Sequence, residues 1–246
     1  MLRRRSLMGG GPKDYIEFAN EKLGAFFAQK YGDGIGITYE QAAVVTSFDF
    51  QLYSTMSGEA FTFDEINYFT GLVSICDNFY YNSSKDQSQG MAISQLALPN
   101  LVSLGGNSFC WCNILEVDCP KLKTMGAGSF QASGTKRIIL GDNYTSSAIQ
   151  APIDNINELE YLYFSNLQSI DAIYVVKNCK NANLNVYIAT PTGPPTISST
   201  IPEMLYDFSI WGVASTAKLY VPSNLVSAYK AAGQPWTTVF ASINAI

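Results

Sequence analysis

Cys110-Trp111-Cys112, followed by Cys119, is the sharpest cluster of chemically capable side chains in the sequence. In an extended strand residues i and i+2 share a face, so Cys110 and Cys112 could act together. A thiolate zinc site needs four ligands, and Cys76 or Cys179 would have to reach the cluster from elsewhere in the chain. Five cysteines without a sign of an oxidising compartment read better as small buried hydrophobes. The carboxylates offer two further clusters. Asp64 and Glu65 are adjacent, so a strand would point them to opposite faces. Glu158 and Glu160 would share a face at about the 5 Å separation that retaining glycosidases use, although solvated strand-edge charge accounts for them as well. The sequence contains no histidine. That removes Ser-His-Asp and Cys-His catalysis, His-ligated metals and the usual base near neutral pH. The expectation is a non-enzyme with no catalytic residue, no metal and no cofactor.

Two other patterns bear on ligands. Tyr31-Gly32-Asp33-Gly34-Ile35-Gly36-Ile37 has the flavour of a calcium loop. Counting back from Glu40 or Gln41 as position 12 fails to place oxygen ligands at positions 1, 3 and 5, so it reads as a structural turn. Aromatic residues are the stronger signal, with fifteen Tyr and fourteen Phe in 246 residues. Tyr80, Tyr81, Tyr161 and Tyr163 lie near strand-like segments or a polar insertion, and alternating Tyr161 and Tyr163 would project from one face. Such a face could stack on sugars or dock a protein, while core packing explains the others equally well.

Hydrophobic residues make up 47% of the chain and charged ones 14%, which describes a folded protein with a sizeable core. A net charge of −5 argues against a nucleic-acid footprint, which needs a clustered basic face. Met1-Leu2-Arg3-Arg4-Arg5 begins like a signal peptide, but no apolar run follows the arginines, and no window is long enough to span a membrane. The expectation is a chain kept without an export signal, with Arg3, Arg4 and Arg5 meeting a partner in an assembly.

The elements that must position these residues come from a repeat. Pro99-Asn100-Leu101-Val102-Ser103-Leu104-Gly105-Gly106-Asn107-Ser108-Phe109 returns in register as Pro120-Lys121-Leu122-Lys123-Thr124-Met125-Gly126-Ala127-Gly128-Ser129-Phe130. Leu72, Ile75 and Phe79 form an earlier, degraded copy. Leu159–Leu162 and Leu167–Ile170 are weaker later ones, and Leu184–Ile188 reads as a further strand. A fixed period of this kind means stacked units, each unable to bury its own apolar face alone. Leu-x-x-Leu would place two side chains inside each coil, Gly would let the chain turn, and Phe would fill the space between coils. Before the stack, residues 14–30 carry helical spacing, and Thr38 with Gln41 makes a capping box for a short helix through Val45. Strand-like pieces follow at Ser47–Leu52, Gly58–Phe63 and Phe69–Ile75. The polar insertion Tyr81–Gly90 is expected to loop out. After Pro191–Pro195 breaks regular structure, a strand Leu219–Pro222 leads into a helix over 223–232.

The repeated phrase, together with Leu219-Tyr220-Val221-Pro222, Ala228-Tyr229-Lys230-Ala231-Ala232 and Trp236 near the C-terminus, resembles the BspA-like leucine-rich repeats of gut bacteria. The lead-in Ile37–Thr46 is similar as well. The resemblance implies a fold in the α/β class leaning to β, a leucine-rich-repeat solenoid of short strands. Its parts would be a tail over 1–13, a helical N-terminal cap over 14–46, the solenoid over 47–190 and a C-terminal strand-helix cap over 191–246. It also implies a non-catalytic adhesion or interaction module. Cell-surface members of the family carry an export signal and phages of such hosts encode the same repeats. The functional expectation is therefore a structural or adhesive bacteriophage virion subunit contacting capsid or tail proteins, with a host glycan or receptor as a further partner. The alternative is a bacterial cell-surface adhesin. If the tail docks on a partner, deleting residues 1–12 abolishes incorporation into the assembly and leaves the circular dichroism spectrum unchanged; incorporation of the truncated chain at the normal level refutes it.

Overall fold

The computed structural model describes residues 14–56, 59–142, 151–170, 175–197 and 211–246. Within them the chain passes repeatedly between two sets of parallel strands. β1 (Ser47–Phe48), β3 (Ser74–Ile75), β5 (Ser103–Leu104) and β7 (Thr124–Met125) form one sheet in that order. The longer sheet joins eight strands in chain order. These are β2 (Phe61–Thr62), β4 (Met91–Ala97), β6 (Asn113–Cys119), β8 (Arg137–Asp142), β10 (Tyr161–Asn166), β13 (Asn185–Ile188), β16 (Lys218–Val221) and β17 (Ser242–Ala245). Smaller parallel groups pair β9 (Ile153–Asp154) and β15 (Trp211–Val213) with β12 (Val176–Cys179), and β11 (Ser169–Ile170) with β14 (Thr196–Ile197). The architecture is mixed α/β with more strand than helix and no closed barrel among the described residues.

Parallel register turns the sequence repeat into columns. Phe48, Ile75, Leu104 and Met125 are successive partners in the short sheet and all are buried. In the long sheet Leu96, Val117, Ile138, Leu162, Val186 and Leu219 are opposite one another, each with 0% exposure, and half-buried Ile243 ends the row. Between the sheets Phe48, Phe79, Phe109 and Phe130 follow one another, with ring centroids 5.3, 5.8 and 5.8 Å apart. The recurring Phe thus packs ring on ring from one pass to the next.

Serine and glycine in the repeat do more specific work than turning the chain. The buried Ser129 hydroxyl lies 2.7 Å from the Gly126 carbonyl oxygen and 2.9 Å from that of Gly105, one pass earlier. Ser108 bridges Gly105 and Cys76 in the same way, at 2.7 and 2.8 Å. The phrase keeps Ser because the hydroxyl ties each corner to its neighbour. Gly126 marks a close approach, since a Cβ there would fall 2.3 Å from the Gly106 nitrogen. The turning residue is Gly128, with φ +64°, and Asn107 takes that place one pass before with φ +54°.

Several boundaries differ from the sequence expectation. The first helix, α1, covers Glu21–Tyr31 rather than 14–30, because the Asn20 side chain caps it by accepting from the Leu23 N–H. Upstream, Tyr15 instead bridges Thr38, the cap of α2 (Tyr39–Ala43), whose capping box with Gln41 is present. The expected strand Ser47–Leu52 shortens to β1, and Leu52 opens a one-turn helix, α3 (Leu52–Met56). Asp64–Tyr68 is a 3-10 helix lying along β4. There Asp64 accepts from the Ser94 N–H, and Asn67 bonds the Gln95 carbonyl and the Ala97 N–H, replacing a strand partner. The insertion is tied back as well: buried Asn82 donates to the Asp86 carbonyl and accepts from Ser84. At the C-terminal end the expected strand near Leu219 is β16, which joins the long sheet together with β17, and α4 (Val226–Ala232) and α5 (Trp236–Val239) lie between them. Trp211, Tyr229, Trp236 and Phe240 fill the space beneath.

Gly126→Ala therefore costs about 1–3 kcal/mol of stability in chemical denaturation through overpacking of backbone on backbone. Gly106→Ala, whose added carbon would sit 3.2 Å from the Ala127 carbonyl oxygen, costs well under half of that. Equal losses at the two positions contradict the close-approach account.

Candidate functional site

Strand alternation sends every second side chain of the long sheet outward, and parallel register aligns them into rows. One outward row runs Glu116, Arg137, Tyr161, Asn185, Lys218 and Ser242. The next runs Asp118, Ile139, Tyr163, Tyr187, Tyr220 and Asn244. Three tyrosines from three consecutive passes stack across the strands. Tyr161 and Tyr187 have ring centroids 4.6 Å apart, and Tyr187 and Tyr220 are 4.7 Å apart with planes inclined by 14°. Arg137 extends the stack, its guanidinium carbon 4.9 Å from the Tyr161 ring centre, and Tyr163 lies parallel to Tyr161 at 6.3 Å. All four tyrosines are half-buried and Lys218 is exposed. Burial pushes the Tyr187 phenol above its ordinary pKa, with the neighbouring Tyr220 and Tyr161 adding to the shift. It stays a neutral donor at physiological pH.

The structure thus brings Tyr161 and Tyr163 together on one outward face. Tyr80 is a correction: it is fully buried, edge-on to Tyr53 at 5.4 Å and Phe61 at 5.5 Å, and offers no surface to a partner. Its place follows from the short β2 strand, which leaves Phe61 to be covered by the next pass. Its hydroxyl has no hydrogen-bond partner among the described residues. Tyr81 is half-buried at the start of the insertion, away from the stack in sequence and sheet. Arg3, Arg4 and Arg5 lie outside the described residues. Sequence reasoning passed over Tyr187 and Tyr220 as site residues, although each alternates with buried neighbours, Val186 and Ile188 in one strand and Leu219 and Val221 in the other. Only the register places them beside Tyr161.

The candidate chemistry dissolves on inspection of the same geometry. Cys110-Trp111-Cys112 forms a turn with Trp111 at φ +61°, not a strand, so the two thiols do not share a strand face. All five thiols are free, and among the described residues no three Cys, Asp or Glu side chains gather as a metal would require. Burial pushes Cys110 up to about 11 and Cys119 and Cys179 up to about 12. Asp64 is spent on the Ser94 N–H and hydroxyl at 2.7 and 3.0 Å. Buried Glu65 accepts from the Ala19 N–H at 2.6 Å. Glu158 and Glu160 lie outside the strand, as exposed loop residues just before β10 on either side of buried Leu159. A groove of about 470 Å³ near the N-terminal edge is lined by Ala19, Asn20, Phe61, Thr62, Gln87 and Asn113 among others, with no ionisable side chain.

A scan of protein-family models, a search of curated proteins and a search of solved structures each return no match to this chain. No helix among the described residues is long and apolar enough to cross a membrane.

The buried neutral groups set an alkaline limit. Cys110, Cys119, Cys179 and Tyr31 all have folded pKa values raised above their ordinary 9.0 and 10.0, by burial first. Because the fold favours the neutral forms, their contribution is complete below about pH 9 and is lost as pH rises through 11 to 12. Circular dichroism across that range should record cooperative unfolding. At pH 8, thiol labelling of the native chain should reach half-buried Cys76 alone. Rapid labelling of the other four without unfolding contradicts this account.

Proposed function

We propose that this chain is a non-catalytic binding subunit, a leucine-rich-repeat solenoid of the BspA-like kind that acts through the tyrosine face of its long sheet. The observation that carries the reading is the stack itself. Tyrosine is the amphipathic contact residue of recognition surfaces, offering a large rigid ring at little entropic cost together with a hydroxyl. Three consecutive passes contribute one tyrosine each at stacking distance, on the outward side of the long sheet. The solenoid reading is supported by passes that lie side by side in chain order, with the repeated Leu, Ser and Phe positions aligned. The non-catalytic reading is supported by the absence of histidine from the sequence and by Asp64, whose two carboxylate oxygens both accept from Ser94.

The assembly we assign it to is a bacteriophage particle, where it contacts capsid or tail proteins and reaches the host surface. Quantitative mass spectrometry of purified extracellular particles and of washed cell envelopes from the producing culture tests this. The expected result is enrichment in particles at a copy number locked to a capsid or tail protein. Enrichment in envelopes with none in particles overturns it in favour of a cell-surface adhesin.

A further inference from the structure

The two ends of the tyrosine stack differ. Arg137 covers the outer face of Tyr161, and each internal ring face is taken by the next ring. Beyond Tyr220 the row continues with Asn244, a short side chain. Its amide nitrogen is engaged by the Leu219 carbonyl at 3.3 Å and the Ser242 hydroxyl at 2.9 Å. No aromatic ring follows Tyr220 among the described residues, so its far side borders the short Asn244 side chain rather than another ring. Around it lie the exposed ammonium group of Lys218, two residues earlier on the same side of β16, and the hydroxyl of Ser242 in register with it.

Charge on this part of the face has one sign. The two rows from β8 to β17 carry Arg137 and Lys218 and no Asp or Glu, within a chain of net charge −5. Glu116 and Asp118 begin the same two rows on β6, as the register partners of Arg137 and Ile139. The two cations are three strand spacings apart, about 14 Å, with tyrosine rings and the Asn185 side chain between them. An extended peptide is recognised by a free strand edge or by apolar pockets, and this sheet interior supplies neither. A polymer of hydroxyl-bearing rings with carboxylates along it meets what is present: a ring face for stacking, phenols and amides for hydroxyls, and spaced cations for carboxylates.

We propose that this face binds an acidic polysaccharide, with a sugar ring on the Asn244 side of Tyr220 and carboxylates at Lys218 and Arg137. The inference rests on the tyrosine face being the recognition surface, and it names the ligand class. Titration calorimetry of the full-length chain with oligogalacturonate, hyaluronan fragments and sialylated oligosaccharides tests it, with neutral galactan oligosaccharides as the uncharged control. The expected result is binding to at least one acidic oligosaccharide that weakens as salt is raised. Tyr220→Ala should weaken it about tenfold, Lys218→Gln should reduce both affinity and salt dependence, and Tyr68→Ala, on an exposed tyrosine elsewhere, should change nothing. Both site variants lie on the outward face, and their circular dichroism spectra check that the fold persists. Binding of no acidic oligosaccharide overturns the proposal, as does equal binding of the neutral control with Lys218→Gln unchanged. If Tyr220→Ala blocks incorporation into particles while no saccharide binds, the face recognises protein, and this inference fails while the proposed function stands.

Discussion

Every pass of this chain is held by the backbone of the next. Asn107 donates its N–H to Ala127, Phe109 to Ser129 and Trp111 to Gln131, and the same ladder continues from Gly128 to Ala151 and from Ala132 to Asp154. These bonds run through corners as well as strands, so the buried polar groups of one pass are satisfied only when its neighbour is in register. Register is thus fixed, among the described residues, by backbone hydrogen bonds at corners and strands alike. The apolar columns, the phenylalanine column and the outward rows are all consequences of it.

The corners show what that constraint costs. Trp111, Ala132, Asn155 and Asn178 occur at matching places in successive passes, all with φ between +50° and +61°. Asn tolerates this left-handed conformation; Trp and Ala pay about 1–2 kcal/mol each for it. The inter-pass bonds of Trp111 and Ala132 are made in that conformation, and abandoning it would leave a buried carbonyl and N–H unpaired. Ser108 and Ser129 add side-chain bonds at the other corner of the same passes. Close approach leaves no room for a side chain at Gly126. Small, donor-bearing and left-handed-tolerant residues are selected there by backbone geometry rather than by any ligand.

The same spacing that builds the core builds the candidate site. Adjacent strands lie roughly 4.8 Å apart, which is also a stacking distance for aromatic rings. The register partners Tyr187 and Tyr220 stack at 4.7 Å, whereas Tyr161 reaches Tyr187 on the diagonal at 4.6 Å and the register partners Tyr163 and Tyr187 stay 6.4 Å apart. Ring faces are largely consumed within the stack, which leaves hydroxyls and ring edges at the surface.

Much of this was legible in the residues alone. The recurring Leu, Ser and Phe positions announced stacked units, Thr38 and Gln41 announced a capped helix, and the alternation at Tyr161 and Tyr163 announced an outward aromatic face. Local chemistry suffices for these because each depends on residues a few positions apart. Proximity across the sheet was not legible. Tyr187 and Tyr220 join Tyr161 only through register, which the backbone hydrogen bonds between passes fix across connections of unequal length. Tyr80 carries the same side chain as its neighbour Tyr81, yet it is core because Phe61 and Tyr53 close over it. Cys110 and Cys112 have strand spacing but sit in a turn, because the inter-pass bond of Trp111 needs a left-handed residue between them. Sequence determined what each pass is made of; tertiary structure decided which passes face one another, because backbone hydrogen bonds are shared between them and cannot be satisfied within one.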